Sequence, residues 1–182
     1  MPEFTYEWFP PLGELYANLG NPGASDRTMF QGDVFSEVPC RRYPAREGVD
    51  PVEPRAKRGY AMVLGHPCEI SPEEKGANLP WRLVCPVAED RDRRLSLDGD
   101  GDYYAFPLPG LIDKEDLWYA DFRFLSTVHV DELRPAGRIA ALSEAGWYAL
   151  QRRLVHYLTR VQVHWLDLQD AGAGLHPDAE RN

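Results

Sequence analysis

Among the 182 residues, His66, Cys68 and Cys85 are the side chains whose types point most directly to chemistry. They stand in His66-Pro67-Cys68-Glu69 and in a later apolar run, Leu83-Val84-Cys85-Pro86-Val87. Imidazole and thiolate are good zinc ligands, with Cys85 as a third donor. A thiolate beside a histidine is also a nucleophile. The competing reading makes both cysteines small buried groups at strand ends, because cysteine packs like a compact hydrophobe. The spacing matches no familiar zinc motif, and no metal or cofactor is expected. Asp98-Gly99-Asp100-Gly101-Asp102 has the acidic alternation of a calcium loop but lacks its closing glutamate, so it reads as a solvated turn. His129, His156 and His164 are isolated from one another.

A second constellation is basic. Arg41, Arg42, Arg46, Arg55, Lys57 and Arg58 outnumber Glu47, Asp50 and Glu53 over 40–58. The whole chain carries a formal charge of −9, so its overall field does not attract nucleic acid. Phosphate recognition would have to be local, through guanidinium groups that pair with phosphate oxygens. Arg58 is the expected phosphate contact, with Arg41 and Arg42 as positioning charges. The same arginines also fit a solvated loop.

The elements that must carry these residues are short until the C-terminal third. A first strand is expected from Gly32-Asp33 through Val34, Phe35 and Val38. A long polar loop with prolines at 39, 44, 51 and 54 follows, and its length marks it as functional or mobile. Gly59 to Ile70 holds a buried strand around Tyr60, Met62, Val63 and Leu64. Leu83–Val87, Tyr103–Leu108 and Leu117–Val130 supply the rest. Short strands separated by turn signals predict a small barrel or sandwich of five to seven strands.

Ser143 then caps a helix with Glu144 in its first turn. Trp147, Leu150, Leu154, Leu158, Val161, Trp165 and Leu168 recur in steps of three or four, which is one helical face. Continuous from 144 to 168, it would be about 37 Å long. Arg152, Arg153 and Arg160 are expected off that stripe. The expected organisation is an aromatic and proline-rich extension over 1–30, a barrel with its helix over 31–168 and a flexible tail over 169–182. Tyr6, Trp8 and Phe9 in the extension suit packing onto the barrel or an interface core.

No apolar run approaches the roughly 20 residues that cross a bilayer. The N-terminus has no basic and apolar leader pattern, and three cysteines without a CxxC motif suit a reducing compartment. A cytoplasmic protein with no membrane partner is expected.

In order along the chain, several stretches resemble the PemK/MazF family of growth-inhibiting toxins. Gly32-Asp33-Val34 is similar to the family's opening G-D-[IVL]. Tyr60-Ala61-Met62-Val63-Leu64 is similar to its second strand, and Val84-Cys85-Pro86-Val87 to its V-x-P-[IVC] strand. Ala120-Asp121-Phe122-Arg123-Phe124-Leu125 resembles the A-D-Q-[VI]-[RK]-x-[IL] strand. Arg138-Ile139-Ala140-Ala141-Leu142-Ser143 resembles the R-I-G-x-L-[ST] entry to the C-terminal helix. The likeness covers about 31–160. It implies an α+β fold, a small SH3-like barrel with a long C-terminal amphipathic helix, a homodimer, and metal-free cleavage of single-stranded RNA.

The resemblance also implies two functional positions: an arginine ahead of the second strand and a hydroxyl after the proline strand. A gapless match puts Gly59 at the first, with Arg58 one residue away, and Ala88 at the second, followed by Glu89 and Asp90. The expected function is therefore RNA binding with weak or lost endoribonuclease activity. A non-catalytic barrel that binds a protein partner is the alternative. Arg58, His66 and Cys68 are the candidate catalytic side chains.

Overall fold

A computed structural model describes residues 9–20, 29–42, 55–65, 80–91, 102–113 and 115–160. The fold is α+β. Its strands are β1 (Tyr16–Leu19), β2 (Val34–Arg42), β3 (Arg55–Val63), β4 (Trp81–Glu89), β5 (Ala105–Pro109), β6 (Leu117–Asp121), β7 (Ser126–His129) and β8 (Arg138–Leu142), followed by helix α1 (Glu144–Thr159). The strand path is β1-β8-β2-β3-β4-β6-β5, and β7 pairs with β4 off that path. All recorded pairings are antiparallel. The seven strands of the path curl through 253° as a half-barrel.

The seven strands of the half-barrel match the upper end of the expected five to seven, β7 is an eighth strand off that path, and two of the described strands are additions to those read from the sequence. The additions come from the two ends of the expected barrel. Tyr16–Leu19 pairs with β8, and Arg138–Leu142 forms a strand of its own before the helix. β5 is an edge of the path and carries Pro107 and Pro109. Proline has no N–H to offer, so this edge resists further strand addition.

The central strands read as apolar runs because both of their faces are covered. One side of the sheet packs Val34, Met62, Cys85, Val87, Phe106, Leu108 and Phe122 against Ala149 and Leu150 of α1. The other packs Phe35, Val38, Ala61, Val63 and Val84 under Val128 and Leu133, where β7 and its following turn fold back. Adjacent residues of β2 and β3 therefore belong to opposite cores.

The expected polar loop with prolines at 39, 44, 51 and 54 is shorter than its proline content suggests. β2 runs through Pro39 to Arg42 and β3 begins at Arg55, so Arg41, Arg42, Arg55, Lys57 and Arg58 are strand residues. Pro39 lies in regular register opposite Arg58, just after an irregular stretch of β2. Phe35 faces Ala61 and Val38 faces Gly59, which leaves one extra residue on β2, a β-bulge. Glu37 lies in this bulge with φ 57°, a left-handed conformation uncommon for a residue with a side chain.

Ser143 caps α1 as its type predicts. Its Oγ accepts from Gly146 N–H at 3.0 Å and donates to the Glu14 carbonyl. Gly146 lets the helix settle on the N-terminal segment, since a Cβ there would strike the Leu15 carbonyl oxygen. Gln31 ties the parts together: its Nε2 donates to the Leu64 carbonyl at 2.7 Å, and its Oε1 accepts from Trp147 Nε1 at 2.9 Å.

Two helix expectations need correction. α1 ends at Thr159, where Arg160 adopts a left-handed cap at φ 63° and donates its N–H to the His156 carbonyl. It is not continuous to 168, and Val161, Trp165 and Leu168 lie outside the described residues. The buried face is Gly146, Ala149, Leu150, Arg153 and His156, while Leu158 is 70% exposed. Arg153 is thus a core residue. Its Nε donates to the Ala105 carbonyl at 3.0 Å and its Nη2 to the Asp102 carbonyl at 2.8 Å. Backbone acceptors at the start of β5 make burial of this cation tolerable.

Candidate functional site

The β3–β4 register sets Tyr60 opposite Val87, and the β4–β6 register sets Glu89 opposite Trp118. Where these three strands run side by side they border a cleft of about 370 Å³. Its walls include Arg58 and Tyr60 from β3, Ala88 and Glu89 from β4, Trp118 from β6, and Arg91 just beyond β4. Arg58 and Ala88, the two positions set by the motif comparison, are both among them. They are 30 residues apart in the chain and meet only because β3 and β4 pair.

Arg58 is exposed on the strand before Gly59. Its Nη1 donates to the Glu37 carbonyl at 2.6 Å, and its Nη2 lies 3.1 Å from Glu132 Oε2. The bulge in β2 therefore has a local purpose: the left-handed Glu37 offers its carbonyl to the guanidinium. Glu132 comes from the short 3-10 turn Val130–Glu132 after β7. Across the cleft, Arg91 Nε donates to Glu89 Oε2 at 2.7 Å, and that bond raises the arginine's pKa further above its ordinary value. Tyr60 and Trp118 meet edge to face with ring centroids 5.3 Å apart. The cleft thus combines two guanidinium groups, a carboxylate and an aromatic wall. Ala88 contributes no hydroxyl.

The other expected site residues are not assembled into a reactive centre among the described residues. Arg41 and Arg42 close β2 opposite Ala56 and Arg55. His66, Cys68 and Asp98–Gly101 lie outside the described residues. Cys85 is described, and it is fully buried in the core. Burial, then the neighbouring Cys40 and Asp121, push its thiol well above the ordinary value. A thiol held protonated is a poor nucleophile and a poor metal ligand. Among the described residues no cluster of three His, Cys, Asp or Glu is placed to hold a metal ion. His129 Nδ1 sits 3.2 Å from Asp131 Oδ2, and His156 is buried on α1.

Sequence reasoning missed Trp118, Tyr60, Arg91, Glu37 and Glu132 as parts of this site. Tyr60 and Trp118 read only as strand residues, because nothing in their spacing says which strands are neighbours. Glu132 is 74 positions from Arg58 and carries no motif.

Two motif residues instead serve the framework. Asp33 accepts from Phe30 N–H at 2.9 Å and pairs with Arg138 in the core. Asp121 holds Arg123 with Nε–Oδ1 at 2.9 Å and Nη2–Oδ2 at 2.8 Å, and the Arg123 guanidinium lies 3.7 Å over the Tyr104 ring. The sequence matches no known protein-family model and no curated protein.

Proposed function

We propose that this chain is a divergent PemK/MazF-like protein that binds single-stranded RNA in the β3–β4–β6 cleft and cleaves it weakly or not at all. The observation that carries the reading is that Arg58 and Ala88 line one cleft. In the resemblance these stand nearest the positions of the phosphate-binding arginine and the hydroxyl. Arg58 takes a phosphate oxygen by charge-assisted hydrogen bonds. Tyr60 and Trp118 provide ring surface for a base, the usual partner of a cationic groove in single-strand binding.

Cleavage is expected to fail for a local reason. Ala88 cannot position the phosphate with a hydroxyl, and loss of one positioned donor costs roughly 10²–10³ in rate. Glu89 adds a like charge beside the expected phosphate. In this reading the half-barrel is an SH3-like barrel, and the protein works in the cytoplasm as a homodimer. A fluorogenic single-stranded RNA assay tests the cleavage claim. Wild type and Arg58→Ala should both be slow, and brisk wild-type cleavage abolished by Arg58→Ala would overturn the loss of catalysis.

A protein partner is the second reading, and one observation favours it. Trp81 and Leu83 alternate outward on β4 at 57% and 37% exposure, opposite His129 and Thr127 of β7. This apolar strip lies apart from the residues that line the cleft.

A further inference from the structure

Arg58 already holds an anion. Its Nη2 is 3.1 Å from Glu132 Oε2, and its other terminal nitrogen is fixed at 2.6 Å by the Glu37 carbonyl. The two contacts differ in kind. Glu37 sits in the bulge of β2 between the paired residues Phe35 and Val38, and its backbone carbonyl, set by that left-handed conformation, meets the guanidinium. Glu132 is a side chain on a surface turn, with 36% of it exposed against 56% of Arg58. An ion pair this open to water is weak and readily exchanged.

We propose that Glu132 is an intramolecular stand-in for phosphate: it occupies the Arg58 guanidinium when the cleft is empty and is displaced when an RNA phosphate arrives. The inference rests on the reading of the cleft as an RNA site and adds a regulating residue to it. The Glu37 carbonyl stays in place throughout and keeps one terminal nitrogen of the guanidinium fixed, so only the carboxylate exchanges. An incoming phosphate must compete with a tethered carboxylate, which lowers affinity for every RNA alike and leaves base preference untouched. It also keeps Arg58 from pairing with unrelated anions. Asp131, the adjacent carboxylate, is 84% exposed and pairs with His129, which makes it a charge control with no hold on Arg58.

The test is a double-mutant cycle read by fluorescence anisotropy with a labelled single-stranded RNA oligonucleotide at low salt. Wild type, Glu132→Gln, Arg58→Ala, the double variant and Asp131→Asn are compared. Glu132→Gln should tighten binding about two- to fivefold, the range that exposed ion pairs span. The gain should vanish in the Arg58→Ala background and exceed that of Asp131→Asn. An equal gain with or without Arg58, or one matched by Asp131→Asn, overturns the stand-in while leaving the RNA reading intact. If Arg58→Ala binds RNA as wild type does, or no variant binds, the RNA reading itself falls and the stand-in with it.

Discussion

Arg138 Nε and Asp33 Oδ2 lie 3.4 Å apart with side chains only 5% and 0% exposed, so two residues 105 positions apart form a buried ion pair. They belong to the first and last of the motifs read from the sequence, and they join β8 to the entry of β2. The Asp33 carboxylate also accepts from Phe30 N–H, and its backbone carbonyl accepts from Val63 N–H at 2.9 Å. Gly32 beside it has φ +90°, and a Cβ there would meet Leu142 Cδ1 at 2.6 Å. The Gly-Asp pair is thus needed for backbone conformation, close packing and charge at once.

Removing one partner of a buried pair strands the other charge in the core, a loss of about 3–5 kcal/mol. Asp33→Ala and Arg138→Met should each lower stability by that order. The Asp33→Ala/Arg138→Met double variant should lose less than the sum, because no charge is left uncompensated. Urea denaturation followed by tryptophan fluorescence measures the cycle; strictly additive losses would show that the pair is not coupled.

How much of this was legible beforehand depends on the range of the interaction. Ser143, Glu144 and the apolar spacing after them announce α1, because capping and helical periodicity are local. Val34–Phe35 and Met62–Val63 announce strands, but not that successive residues enter different cores. Arg153 departs from its expected place for a related reason: spacing places residues on a face, and the acceptors at Asp102 and Ala105 that make burial possible are set by tertiary structure. The candidate cleft was half legible. Arg58 and Ala88 could be named from motif order, whereas Trp118 and Glu132 depend on which strands and turns become neighbours.

The Cys85 thiol should be inert in the folded protein. Burial keeps it protonated and inaccessible. Iodoacetamide at pH 8, followed by mass spectrometry, should leave the Cys85 peptide unmodified until denaturant is added. Rapid labelling in native buffer would contradict the buried position.

Alkaline pH should weaken the fold through Tyr104. Desolvation, then a hydrogen bond to Asp102, push its hydroxyl up to about 12, against the partial opposition of Arg123. The unfolded tyrosine ionises near pH ~10. Below that pH both states hold the proton and the stabilisation is fully present. Above it the unfolded chain releases the proton while the folded protein keeps it, so stability falls as pH rises through about 12. Tyr16, whose hydroxyl donates to the Pro109 carbonyl at 3.2 Å, is raised further by burial and acts in the same direction. Urea midpoints at pH 8, 10 and 11 should decline, and Tyr104→Phe should flatten the decline. An unchanged slope would remove Tyr104 from this account.

The cleft reading is tested most directly by titrating a fluorescein-labelled single-stranded RNA oligonucleotide with wild type and Arg58→Ala and recording anisotropy at two salt concentrations. Charge-assisted contacts to a phosphate contribute about 1.5–3 kcal/mol, so Arg58→Ala should weaken binding by roughly 10- to 150-fold. The salt dependence should also become shallower, as one phosphate contact is lost. Saturable binding by wild type with that loss in the variant is the predicted result. Superimposable curves for the two proteins, or no binding by wild type at the lower salt concentration, would contradict the assignment of this cleft to RNA.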